Sequence, residues 1–160
     1  MTYTSRIDLS DHVRKQASAL LQARLSDALD LEAQAKQAHW NVKGPHFLQL
    51  HQLFDAVHDE IEQFVDLLAE RITTLGHVAD GRVTTTASAT TLYGYPLEAT
   101  GGEAHLKALA GSLGAFGKAV REAIDQAETI GDADTADLFT QISRETDKQL
   151  WFLEAHLQAH

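Results

Sequence analysis

The sequence predicts an all-α protein: a four-helix bundle with one long crossover between its second and third helices. Three observations carry this reading. Four long segments repeat apolar residues at alternating steps of three and four, the stripe of a helix with about 3.6 residues per turn. Only two prolines occur in 160 residues, of which 44% are apolar, as in an ordinary soluble helical domain. The one long stretch without a stripe, from His77 to Gly102, exceeds an ordinary bundle loop and has the length of a crossover. A chain of 160 residues builds one such domain rather than two. Residues 1–9 form an arm and residues 10–160 the bundle.

The arm lacks apolar periodicity and carries Arg6 as its single cation. Ser10 supplies an N-cap for a first helix running to about Asn41, with Val13, Ala17, Leu20, Leu21, Leu25, Ala28 and Leu29 on one face. That helix delivers His39 and Trp40 at its end, and a short hairpin follows from Val42 to Pro45. Proline suits a first helical turn, so the second helix starts at Pro45 and runs to about Leu75, where Gly76 stops it. Its stripe is Leu50, Leu53, Val57, Ile61, Phe64, Leu68, Ile72 and Leu75.

The crossover is rich in Thr, Ala and Gly, with room for a short helix over 86–92. The third helix spans about Glu103 to Thr129 on Leu106, Leu109, Leu113, Phe116, Val120, Ile124 and Ala127. Gly111, Gly114 and Gly117 weaken it by about 1 kcal/mol each relative to alanine, which predicts close helix packing along them. After Gly131 a fourth helix runs to about His156 with Phe139, Ile142, Thr146, Leu150, Leu153 and Leu157 inward. Asp132, Asp134 and Asp137 cluster at its start, where capping and the helix dipole already favour acids. His77 and His105 have no acidic partner at ligand spacing and are read as surface residues, and Trp151 and Phe152 as packing or contact residues. His156 and His160 lie at the chain end, with no metal role assigned.

Composition excludes several function classes. With no cysteine there is no disulfide, thiolate site or thiol nucleophile. No run reaches the ~20 apolar residues of a membrane span, and the N-terminus lacks a secretory core, which points to the cytoplasm. The net charge of −10, from 13 basic and 23 acidic residues, repels polyanions and gathers cations. DNA binding then needs a local basic patch, and the first twenty residues offer only Arg6, Arg14 and Lys15. DNA is not a favoured partner, although many copies of a weak arm in one shell would add up, and nucleoid association would follow only from such binding.

The second helix carries the chemistry. His51, Asp55, Asp66 and Glu70 fall within an arc of about 100° centred roughly 150° from the apolar stripe. A solvated acidic face is the ordinary explanation. Against it, Asp55, Asp59, Glu62, Asp66 and Glu70 share this face, while Arg71 is the only cation from His46 to Leu75 and sits elsewhere on the wheel. Like charges at i,i+4 repel, so the pattern points to a bound metal. The hairpin sets His39 at the height of His51, with Asp55 one turn on, as one half of a site. Asp66 lies eleven residues past Asp55, roughly 16 Å along the axis. One ion cannot bridge that span, but two such helices crossing about a two-fold axis bring the acid pair of one to the histidines of the other.

The segments KQAHWNVKGPHFLQLHQLFD, VDLLAERI, LYGYPL and DADTADLFTQISRETDKQLWFLEAHL resemble the Dps family of miniature ferritins over nearly the whole chain. The resemblance implies a ferritin-like bundle with a small crossover helix, and assigns an intersubunit ferroxidase centre to His39, His51, Asp55, Asp66 and Glu70, with Trp40 beside it. It implies a hollow dodecamer that oxidises Fe(II), with hydrogen peroxide preferred to dioxygen, and stores the ferric product. It places Asp134 and Asp137 in a three-fold pore. The basic N-terminal tail that many members use on DNA is missing here. Zinc or manganese would suit the same ligands, and Asp59 and Glu62 are candidates for holding product. A full-size ferritin centre inside each bundle would need Glu-x-x-His pairs, and the sequence contains none. The alternatives are a DNA-compacting protein with secondary iron chemistry and a purely structural oligomer.

Overall fold

A computed structural model describes residues 2–158, so Met1, Ala159 and His160 lie outside it. Five helices follow in order: α1 (Asp11–Asn41), α2 (Phe47–Thr74), α3 (Val83–Ala89), α4 (Gly102–Ile130) and α5 (Ala133–Ala155). The long four pack as a bundle in which α1 lies on α2, α4 on α5, and α1 also on α4. Among the described residues no strand forms beyond one isolated bridge, Lys43 to Gly101, and no helix is long and apolar enough to cross a membrane.

α1 begins as its sequence dictates, with the Ser10 hydroxyl accepting from the Val13 amide. At its far end Val42 is buried, and Gly44 turns the chain with φ 111°. Pro45 falls in that turn, not in the helix. The Phe47 amide bonds to the Gly44 carbonyl, and α2 starts only at Phe47. At the other end Gly76, with φ 87°, accepts the Tyr3 amide at 2.7 Å, and a Cβ there would lie 2.7 Å from the Tyr3 carbonyl oxygen. A glycine is therefore required both by the left-handed backbone and by the close approach of the arm.

The core holds Phe54 and Phe64 from α2, Phe116 from α4 and Phe139 from α5, all fully buried, with the Phe64 and Phe116 rings stacked at 6.4 Å. Two stripe positions shift from expectation. Phe54 is buried and Leu53 only partly, while Ala123 is buried and Ile124 partly. The larger ring of Phe54 takes the interior place at the edge of the stripe, because burying it removes more apolar area from water. The glycine row also differs. A Cβ on Gly117 would meet Thr146 Cγ2 at 3.4 Å, but Gly111 and Gly114 face nothing within 4 Å. Close packing along α4 is thus confined to Gly117.

The crossover helix starts earlier than 86–92. Asp80 accepts from the Arg82 amide and the Thr85 hydroxyl, which opens α3 at Val83. Its C-terminal side is pulled out of helix by α1: Thr90 donates to Asp30, Thr91 to the buried Asp27 through both amide and hydroxyl, and Gln34 to the Tyr93 carbonyl. At the α4–α5 turn, Gly131 is left-handed (φ 89°) and Asp132 caps α5 by accepting from the Thr135 amide. Asp132 is almost fully buried, and Arg71 of α2 pairs with it at 2.8 Å.

His105 corrects the surface reading. It is 1% exposed, accepts or donates at 2.7 Å between its Nδ1 and the Tyr95 hydroxyl, and lies against Phe54 and Tyr95. The crossover covers it, and one sequence-distant phenol satisfies one of its nitrogens. His77 is partly buried where the arm meets the end of α2.

Candidate metal centre

The α1–α2 hairpin sets the last turn of α1 beside the second turn of α2, and His39 and His51 lock the two together. His39 Nδ1 bonds to the His51 carbonyl at 2.8 Å, and His51 Nδ1 bonds to the His39 carbonyl at the same distance. The rings stack with centroids 3.7 Å apart and planes at 22°. A carbonyl only accepts, so each Nδ1 carries the hydrogen and each Nε2 keeps its lone pair free for a metal. Ring orientation is thereby set by backbone that the hairpin itself provides. Asp55, one turn on, has Oδ1 3.6 Å from His39 Nδ1.

His39 thus touches both His51 and Asp55. Asp66 and Glu70 do not join them within one protomer: they lie further along the same helix, exposed, at the roughly 16 Å rise expected for eleven residues. Trp40 stands 68% exposed beside His39, with Phe47 and Leu48 also open to solvent across the hairpin. Such grouped apolar exposure marks a contact surface. Asp134 and Asp137 are exposed at the start of α5, and Arg71 reaches Asp134 at 3.9 Å.

The expectation that no side chain supplies a cation to the acidic face is overturned by Lys36. Its ammonium pairs with Asp55 from α1, one turn before His39. The Lys36 hydrogen bond, more than the charges of the nearby histidines, holds the Asp55 carboxyl below its usual range. Asp55 therefore stays ionised until pH falls through this lowered pKa. At neutral pH the competitor for an incoming metal is the lysine and not a proton. Lys36→Met is expected to tighten Co(II) or Zn(II) binding about two- to five-fold, the worth of a partly exposed ion pair. The acid limit of binding should move to higher pH in the same variant, as the Asp55 pKa returns toward normal. Calorimetric titration across pH checks both, and unchanged affinity would remove Lys36 from the site.

A second group was half visible in the sequence. His58, Asp59 and Glu62 offer ligand atoms all within 4.8 Å of one another. His58 Nδ1 is also 3.7 Å from Glu32 of α1, whose pKa is raised chiefly by burial and lowered in part by His58. The sequence pointed to Asp59 and Glu62 but not to His58 or Glu32. An i, i+1, i+4 pattern carried His58, whereas only packing brings Glu32 across. Two stacked imidazoles, one carboxylate and a neighbouring acidic group form a nitrogen and oxygen donor set of the kind that takes Fe(II), Zn(II) or Mn(II).

The sequence matches the family model of the ferritin-like domain over residues 18–159. The DNA protection during starvation protein of Agrobacterium fabrum is 39% identical over 157 residues, covering 98% of this chain and 97% of that protein. Among solved structures, the Dps of Mycobacterium smegmatis in its tetragonal form aligns with a TM-score of 0.93 at 33% identity, over 99% of this chain and 96% of that one. DpsC from Streptomyces coelicolor aligns with a TM-score of 0.94 at 28% identity, over 100% and 94%.

Proposed function

Since this chain belongs to the Dps family of ferritin-like proteins, we propose that it oxidises Fe(II) with hydrogen peroxide and stores the ferric product inside a homo-oligomeric shell, a dodecamer. Iron is the substrate, and the ligands of each centre are His39, His51 and Asp55 of one subunit with Asp66 and Glu70 of a neighbour across a two-fold axis. The observation that carries this reading is the reciprocal His39/His51 lock, in which both Nδ1 atoms are engaged by backbone carbonyls, with Asp55 within 3.6 Å of the His39 ring.

The chemistry follows from the donors. Imidazole nitrogen binds Fe(II), and the hard carboxylates favour Fe(III) still more, so the set lowers the free energy of the oxidised product relative to the reduced substrate. Two Fe(II) deliver two electrons to one peroxide, whose O–O bond breaks to give two waters with two protons taken up. As Fe(II) arrives, Lys36 gives up Asp55, and the ammonium remains nearby to offset part of the carboxylate charge. Ferric ions then pass to inner acidic groups, among them Asp59 and Glu62. A ring of Asp134 and Asp137 at a three-fold pore concentrates incoming cations, as the net charge of −10 also does at longer range.

Consumption of Fe(II) and peroxide would itself spare DNA from oxidative damage. Direct DNA binding is not favoured here, and gel retardation at low salt tests it. Zinc or manganese would compete for the same ligands. The decisive experiment adds Fe(II) anaerobically and then peroxide, following ferric absorbance in the parent and in Asp66→Ala/Glu70→Ala. Oxidation at least about 10-fold slower in the variant is expected, since loss of even outer ligand partners costs that much. Equal rates in the two proteins would return the acidic face to solvent and leave a structural oligomer as the better reading.

A further inference from the structure

Tyr95 and His105 form a pair that the iron chemistry above does not use. Tyr95 is partly buried under the crossover, and its hydroxyl is 2.7 Å from Nδ1 of His105, a residue 1% exposed. His105 Nε2 is enclosed, with the Asn41 backbone close to the ring. The pair also touches the stretch of α2 that carries Asp55. Phe54 immediately precedes Asp55, its ring lies 6.3 Å from that of His105, and the His105 ring lies 6.0 Å from that of Tyr95. Two ring-to-ring steps therefore join the residue next to a proposed ligand to a phenol within hydrogen-bonding distance of an imidazole nitrogen. Tyr3 and Tyr93, by contrast, are 58% and 83% exposed.

Resting on the iron-oxidising reading, we propose that Tyr95, with His105 as its proton acceptor, is a second electron donor to peroxide when a centre holds only one Fe(II). Peroxide needs two electrons to reach water, and one Fe(II) supplies one. Without another donor the O–O bond breaks to leave a hydroxyl radical. With Tyr95 the electrons balance: Fe(II) and the phenol give one each, the phenolic proton moves to His105 Nδ1, and two solvent protons complete two waters. The products are Fe(III), a tyrosyl radical and an imidazolium. Burial suits both partners at rest, since it pushes the Tyr95 phenol up, keeping it protonated, and lowers His105, keeping its Nδ1 lone pair available.

A purely structural clasp between crossover and α4 would show in stability alone, so the test reads a radical. The full-length assembly receives one Fe(II) per centre anaerobically, then one peroxide, and is freeze-quenched for electron paramagnetic resonance, with ring-deuterated tyrosine to identify the signal. The parent is expected to show a tyrosyl signal that Tyr95→Phe loses while releasing more hydroxyl radical to a spin trap. His105→Gln should keep a tyrosyl signal with an altered g-tensor, because the phenoxyl oxygen no longer faces an imidazolium. With two Fe(II) per centre, Tyr95→Phe should oxidise iron at the parent rate. Ferric absorbance without any tyrosyl signal in the parent, or the same signal in Tyr95→Phe, overturns the inference and leaves the ferroxidase reading standing. No ferric absorbance in the parent overturns both.

Discussion

Two inactive variants of this chain are expected to restore each other's Fe(II) oxidation when they assemble together. His51→Ala removes one half of the proposed centre, and Asp66→Ala/Glu70→Ala removes the other. Within one protomer the halves are separated by the roughly 16 Å rise of eleven helical residues, so neither variant can repair itself. Across a two-fold axis, a mixed pair holds one centre with both halves intact and one with neither. Random pairing of equal amounts then gives about a quarter of the parental centres, against almost none in either variant alone. Co-expression with separable tags, followed by ferric absorbance on the doubly tagged fraction, measures this. A mixed assembly as inactive as its parents would show that the acid pair does not complete a neighbour's histidine site.

The second large effect concerns Asp132. It is buried, caps α5 through the Thr135 amide, accepts from the Thr135 hydroxyl at 2.6 Å and pairs with Arg71 at 2.8 Å. Arg71 also donates to the Thr135 hydroxyl at 3.1 Å. Replacing Asp132 by alanine leaves a guanidinium that is 14% exposed with only the Thr135 hydroxyl and the more distant, exposed Asp134 carboxylate as partners. Removing one partner of such a pair costs about 3–5 kcal/mol, and denaturant unfolding of the Asp132→Ala assembly should show a loss of that size. Adding Arg71→Met should recover part of it, because the stranded charge is then gone while the cap remains missing. No recovery in the double variant would mean that the capping bonds, not the ion pair, dominate. Arg71 follows Glu70 in sequence, so the same anchor holds the last turn of α2, and the acid pair with it, against the start of α5.

Much of this architecture was legible without coordinates. The stripe of α2 from Leu50 to Ile72 announced its buried face, and Ser10, Gly76 and Gly131 marked ends that the structure keeps. The short hairpin was enough to set His39 beside His51. What escaped depended on partners remote in sequence. Lys36 carried no signal in the sequence, because its partner Asp55 lies on the next helix. His105 looked like surface because no acid stands at ligand spacing, whereas its partner is a phenol ten residues earlier in the crossover. Gly111, Gly114 and Gly117 looked equivalent, and only the rotation of α4 against α5 singled out Gly117.

By itself the sequence determined the helices, the face each one buries, the meeting of His39 with His51 at the hairpin and the roughly 16 Å rise that separates Asp66 from Asp55. All of these follow from local periodicity, capping and a fixed rise per residue, which neighbouring residues in the chain decide. Only the tertiary structure decided that Lys36 guards Asp55, that Arg71 belongs to Asp132, that Glu32 meets His58 and that Tyr95 covers His105. Each of those pairs joins different elements, and a charge or hydrogen bond across packed elements depends on their relative rotation and height, which no single helix encodes.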